Sequence, residues 1–156
     1  MAGLWFDGIG IPLSGDPLLY RCDELYAMIR RFHPQTLSSY KFGLTGDEDF
    51  FAPEDDQLNH MEGKSRAGKP LEVCTCLPVG RESATRLYYQ WGYNKESVHK
   101  TVNQVWDDLI MADRLGANLL LNIGPMPDGF VHVDNVETLG AVEGRIRAEG
   151  FPSAVS

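Results

Sequence analysis

Asp7 closes a short apolar run, Leu4-Trp5-Phe6-Asp7, and Gly8 turns the chain away from it. Three apolar residues in a row read as a short buried strand. A carboxylate at the tip of such a strand is costly unless it is paired, hydrogen-bonded or used. Taken alone, Asp7 reads as a turn aspartate at a strand end. Other segments with unusual residues also follow predicted strands: an acidic stretch ending in Phe50-Phe51-Ala52-Pro53-Glu54, then Trp91 with Tyr93, then Pro125-Met126-Pro127-Asp128-Gly129. In a parallel barrel or sheet these segments share one rim, and chemistry sits at the carboxyl ends of the strands. That convergence lifts Asp7 above a simple turn residue.

Two carboxylates on one rim point to glycoside hydrolysis. A retaining enzyme needs an ionised carboxylate as nucleophile and a protonated carboxyl as acid, about 5–5.5 Å apart. Asp7 suits the first role, being a short side chain on a rigid strand. Glu54 suits the second, because Phe50, Phe51 and Pro53 would raise its pKa by desolvation. On spacing alone Glu54 also reads as a solvated loop acid. Asp47, Glu48 and Asp49 are rivals that read as a solvated charge run, with Glu48 held as the reserve acid/base. Trp91 and Tyr93 offer flat apolar faces for a sugar or, equally, for a core.

Other chemistries find little support. Gly8-Ile9-Gly10 lacks the third glycine of a dinucleotide fingerprint. No phosphate loop and no serine elbow is present. His33, His60, His99 and His132 are scattered in the sequence, and His33 and His99 read as surface residues. Cys22, Cys74 and Cys76 are an odd number without framework spacing, so they read as reduced and structural, with no metal site implied. The net charge of −8 argues against nucleic acid or an anionic membrane surface as partner. No apolar run is long enough to span a membrane. The first residues lack the regions of a signal peptide, and localisation is not legible.

The elements that must position these groups alternate. A helix is expected to open at Asp16-Pro17, with Leu18, Cys22, Leu25, Ile29 and Phe32 on its buried stripe. Strands are expected over residues 36–40 and 71–77, separated by a long polar loop over 41–70. Residues 78–90 read as a connector. Thr101 and Gln104 form a capping-box signature for a helix whose buried face carries Val102, Val105, Trp106, Leu109 and Ile110. Asn118-Leu119-Leu120-Leu121-Asn122-Ile123 looks like a parallel strand buried on both faces. Asp134 and Glu137 are placed to cap a last helix carrying Val136, Leu139, Val142 and Ile146. The order is that of an α/β chain with parallel strands.

Several of these segments together resemble the α-L-fucosidases of glycoside hydrolase family 29. They are Leu4-Trp5-Phe6-Asp7-Gly8, Glu72-Val73-Cys74-Thr75, Trp91-Gly92-Tyr93-Asn94 and Gly116-Ala117-Asn118-Leu119-Leu120-Leu121-Asn122-Ile123-Gly124-Pro125 with Asp128-Gly129. The resemblance implies that Asp7 is the nucleophile and Glu54 the acid/base. It implies substrate-binding roles for Trp5, Lys41, Trp91 and Tyr93, and no cofactor. The implied partner is a fucosylated oligosaccharide or glycoconjugate. The implied fold is the C-terminal part of a (β/α)₈-like, TIM-type barrel, with residues 1–152 as a partial catalytic domain and 153–156 as a tail. At roughly 250 residues for eight units, the chain is expected to be the truncated second half of such a barrel. The histidines that hold fucose in the family come from earlier strands, and none of the four here matches them. Two readings follow: a retaining exo-α-L-fucosidase, or a silent half-barrel remnant that binds sugar weakly or self-associates through unpaired barrel edges.

Overall fold

Leu4 and Phe6 turn to the same side of strand β1 (Gly3–Phe6), as alternate residues of a strand must. They pack against Cys22, Tyr26 and Ile29 of helix α1 (Cys22–Phe32). The computed structural model describes residues 2–7, 20–54, 58, 68–81 and 87–153. The chain forms two compact units, Met1–Glu72 and Val73–Ser156.

In the first unit β1 pairs in parallel with β2 (Leu37–Tyr40), Phe6 standing opposite Tyr40. The strand is not buried throughout, as its three apolar residues suggested. Trp5 points away from α1 and is 38% exposed, because the helix covers only one face of this two-stranded sheet. Parallel bridges join Ser39 to Phe50 and Phe51 to Leu71, and an antiparallel bridge joins Lys41 to Ala52. Residues 50–52, expected to be loop, therefore lie as an extra extended layer between β2 and the start of β3 (Leu71–Cys76).

The Asp16-Pro17 start expected for α1 lies outside the described residues. Within them the helix begins after Arg21, whose backbone is left-handed at φ 46° and whose side chain makes no cap. Tyr26 completes the buried stripe, with its ring edge-on to Phe6 at 5.9 Å. Phe32, expected in that stripe, is 63% exposed beneath the Arg31 guanidinium. It falls in the last turn, past the reach of β1.

In the second unit β3 pairs with β7 (Ala117–Asn122). The expected connector after β3 is in fact a small antiparallel sheet. Its strands β4 (Pro78–Arg81), β5 (Leu87–Tyr89) and β6 (Val98–His99) lie in the order β5-β4-β6. Pro78 and Gly80, the one proline and the one glycine of residues 78–90, masked its strand character in the sequence. Helix α2 (Val102–Arg114) opens on the expected capping box: Thr101 Oγ1 accepts from the Gln104 amide, and Gln104 Oε1 accepts from the Thr101 amide at 2.8 Å. Leu77, Val105 and Val142 form the core, with Val102, Leu109, Leu121, Leu139 and Ile146 packed on it. Beside it the buried Lys100 donates to Thr75 Oγ1 at 2.9 Å and to Asp108 at 2.8 Å.

Two further expectations fail in this unit. β7 alternates between half-buried and exposed residues, with Leu120 43% exposed, so it is not buried on both faces. Among the described residues it has a partner, β3, along one edge only. The last helix, α3 (Val133–Glu149), is capped by His132, whose side chain accepts from the Asp134 amide, rather than by Asp134 with Glu137. The helix starts two residues too early for that box, and Val136, expected on the buried face, is 56% exposed.

Candidate active site

Asp7 follows the last residue of β1, Lys41 follows β2, and Glu54 ends the layer that runs beside β2. Because Ser39 and Phe50 are paired in parallel, all three side chains rise at one end of the first unit's strands. The Lys41 ammonium sits on the Glu54 carboxylate and lies 3.5 Å from Asp7 Oδ1. Lys41 and Glu54 are mostly buried, at 13% and 16% side-chain exposure, whereas Asp7 is 67% exposed. Burial works against the charge of Lys41, but the hydrogen bond to Glu54 and the charges of Glu54 and Asp7 outweigh it and raise its pKa. One firmly charged cation thus joins the two carboxylates singled out from the sequence. Glu54 pairs with this ammonium, a partner that the apolar Phe50, Phe51 and Pro53 around it did not announce. Lys41 itself holds a left-handed backbone, φ 22°, which is uncommon for a residue other than glycine.

The neighbouring acids are not the solvated run expected. Glu48 is 2% exposed. Its Oε1 accepts from the Leu44 amide at 2.7 Å and the Tyr26 hydroxyl at 3.0 Å, and its Oε2 from the Gly46 amide at 3.0 Å. Burial alone would raise its pKa, yet hydrogen bonds from the Leu44, Glu48 and Thr45 amides and the Tyr26 hydroxyl bring it below the ordinary value. A buried, strongly hydrogen-bonded carboxylate of this kind ties the loop to α1 and is poorly suited to giving up a proton. Asp49 accepts from Arg30 at 2.7 Å and from the Ser38 amide at 2.6 Å. These bonds outweigh burial and lower its pKa as well. Only Asp47 is an exposed loop acid, bonded to Thr45 Oγ1 at 3.0 Å. Gly43 permits this packing: its φ is +80°, and a Cβ there would meet Phe51 at 2.8 Å.

In the second unit Trp91 and Tyr93 are 42% and 40% exposed, so both present ring faces to solvent instead of filling the core. Asn122 Nδ2 donates to the Trp91 carbonyl at 3.0 Å. Gly124, at φ +55°, comes so close to Gly92 that a Cβ would stand 3.2 Å from its carbonyl oxygen. The Asn-Ile-Gly segment that ends β7 and leads out of it therefore fixes the backbone that carries Trp91. Asn122 was missed as a positioning residue, since its partner lies 31 residues away. Cys22, Cys74 and Cys76 are buried, and none of them forms a disulfide. The histidines are not all scattered, for His99 and His132 stack with centroids 4.5 Å apart.

Acidic groups gathered by one ammonium at the carboxyl ends of parallel strands stand where α/β barrels place their chemistry. The family model for alpha-L-fucosidase matches residues 4–149, and the chain belongs to that family. It is 26% identical to α-L-fucosidase isoenzyme 1 from Paenibacillus thiaminolyticus, with a TM-score of 0.68 over 96% of this chain and 35% of that one. A variant of the α-L-fucosidase AlfC, an enzyme from Lactobacillus casei, in complex with Fucα(1,6)GlcNAc has 21% identity and a TM-score of 0.71, over 95% of this chain and 40% of that one. The tissue alpha-L-fucosidase of Mus musculus is 41% identical over 44 residues, 26% of this chain and 10% of that protein. The chain thus spans well under half the length of these relatives.

Proposed function

We propose that this chain carries the two carboxylates of a retaining exo-α-L-fucosidase, which removes terminal α-L-fucosyl residues from glycans by double displacement. The observation that carries the reading is the Lys41 ammonium shared by Asp7 and Glu54. Asp7 attacks the anomeric carbon while Glu54 protonates the departing glycosidic oxygen, leaving a fucosyl ester on Asp7. Glu54 then takes a proton from water, which attacks the ester and releases fucose with its configuration retained. To donate in the first step, Glu54 must be released by Lys41, which has Asp7 as its alternative anion. Trp5 and Lys41 are the substrate-binding candidates of the first unit, and Trp91 and Tyr93, with exposed ring faces, those of the second. On this reading residues 1–152 are part of a barrel domain and 153–156 a tail.

Replacing Asp7 by Gly tests the assignment in whichever form of the protein turns over 4-nitrophenyl α-L-fucoside. The expected result is a loss of several orders of magnitude, partly restored by azide with β-L-fucosyl azide as product. Turnover near the wild-type level without azide removes Asp7 from the role. A second reading, a silent remnant that self-associates, draws on the single-sided pairing of β7 among the described residues.

A further inference from the structure

The geometry points to a transition-metal site, of the zinc class, at the start of α3, built from His99, His132 and Asp134 and independent of the fucosidase reading. The three residues come from β6 and from the first turn of α3, and their ligand atoms all lie within 4.8 Å of one another. Two imidazoles and one carboxylate are a donor set that suits zinc, copper, nickel or cobalt dications over magnesium or calcium.

The state of His99 is fixed by the residue beneath it. Asn135 is fully buried. Its Nδ2 donates to the Ile123 carbonyl at 2.7 Å, so its Oδ1 must face the other way, toward His99 Nδ1. A carbonyl oxygen can only accept, and His99 Nδ1 must therefore carry the proton. The lone pair of the neutral ring is then on Nε2. A buried side chain that holds one imidazole nitrogen protonated, leaving the other as a donor atom, is the arrangement that orients metal-binding histidines.

His132 is an unusual choice where it stands. Helix caps favour Ser, Thr, Asp and Asn, yet here an imidazole accepts the Asp134 amide at 3.3 Å through Nδ1. The same nitrogen is 3.8 Å from Asp134 Oδ2, near the roughly 3.3 Å between ligand atoms on tetrahedral zinc, and because it has one lone pair an ion there would displace the amide bond. The His99 and His132 rings lie 11° from parallel. Parallel rings aim their lone pairs side by side, so one must tilt for both to reach one ion. His132, which has no buried anchor like Asn135 among the described residues, is the ring that tilts. Water completes the coordination. The ion would pin the start of α3 to β6 and stabilise the second unit by mass action.

Zinc titration of the metal-free chain, followed by calorimetry and by thermal unfolding, tests the site. The expected result is one ion per chain and a rise in Tm that magnesium does not reproduce. His132→Ser keeps a good cap, so its Tm in EDTA should equal or exceed that of the wild type, while its zinc affinity falls on the order of a hundredfold. Asp134→Asn should weaken binding less. Cobalt should give visible d–d bands without the near-ultraviolet band of a thiolate ligand. Zinc binding by His132→Ser as tight as by the wild type overturns the proposal. So does a cobalt–thiolate band, or the absence of zinc binding at roughly 100 μM, where even a weak site of this class would fill.

Discussion

Lys41 is the residue on which the two carboxylates converge, and its partners lie 34 and 13 positions away in the chain. Asp7 and Glu54 could be singled out from the sequence because each follows an apolar stretch. The cation between them could not, since nothing local to Lys41 names its partners; only the family resemblance drew attention to it. The ion pair also changes what the proposed mechanism asks of Glu54: as the acid it would have to leave an ammonium to protonate a leaving group. A general acid matters most when the leaving group is poor, and it contributes about 10²–10⁴ in rate. Glu54→Ala should therefore lose activity of that order on a fucosyl disaccharide and far less on 4-nitrophenyl α-L-fucoside, when kcat/KM is measured for both. Equal losses would count against Glu54. Glu48 offers no ready substitute, since Tyr26 and the Leu44, Thr45 and Gly46 amides already occupy its oxygens.

Three consecutive acids, Asp47, Glu48 and Asp49, show where element-level reading stops. Their spacing alone reads as a solvated run, but a loop that folds back on α1 sends each to a different environment. The loop's path depends on the φ of Gly43 and on Arg30, which reaches from α1 to the Asp47 carbonyl at 3.1 Å and to Asp49. No helical or strand periodicity announces such contacts. By contrast, the Thr101–Gln104 box was legible because all its partners lie within one turn. The same asymmetry applies to β7, whose apolar run states a preference for burial but not which faces are covered. The loop makes a prediction about pH. Folding lowers the pKa values of Glu48 and Asp49 from ordinary values of 4.5 and 3.8. The unfolded chain then binds more protons, so stability from these groups is fully present above those values and is lost as pH falls through the folded ones. Thermal unfolding of the first unit should show Tm falling below about pH 4.5 in the wild type. Glu48→Gln should start lower, by about 1–3 kcal/mol in stability, and fall less steeply with acid. An identical acid dependence in that variant would show that the Glu48 carboxylate does not govern the loop.

For the whole molecule, the deciding quantity is how much sheet the chain completes. Among the described residues the pairs β1–β2 and β3–β7 each form a two-stranded sheet. Such sheets are marginal unless helices or further strands cover them. Helix α1 covers the Leu4 and Phe6 face of β1, and Trp5 is left to solvent. Leu120, Phe130, Val133 and Val136 are likewise exposed in the second unit, at 43%, 70%, 59% and 56%. Unpaired strand edges beside exposed apolar side chains favour pairing with another chain. Residues 1–156 purified alone should therefore run as an oligomer by light scattering, with a mass that rises with protein concentration. Activity is expected to be absent in the same preparation. Asp7 and Glu54 confer a rate advantage only if the sugar is held against them in a fixed orientation, and the chain spans only 35% and 40% of the two fucosidase structures it resembles. Assayed with 4-nitrophenyl α-L-fucoside, the preparation should show no turnover that Asp7→Gly abolishes. A stable monomer turning over at about 1 per second or faster, the ordinary range for enzymes, would show that these strands suffice and that the exposed edges are no liability.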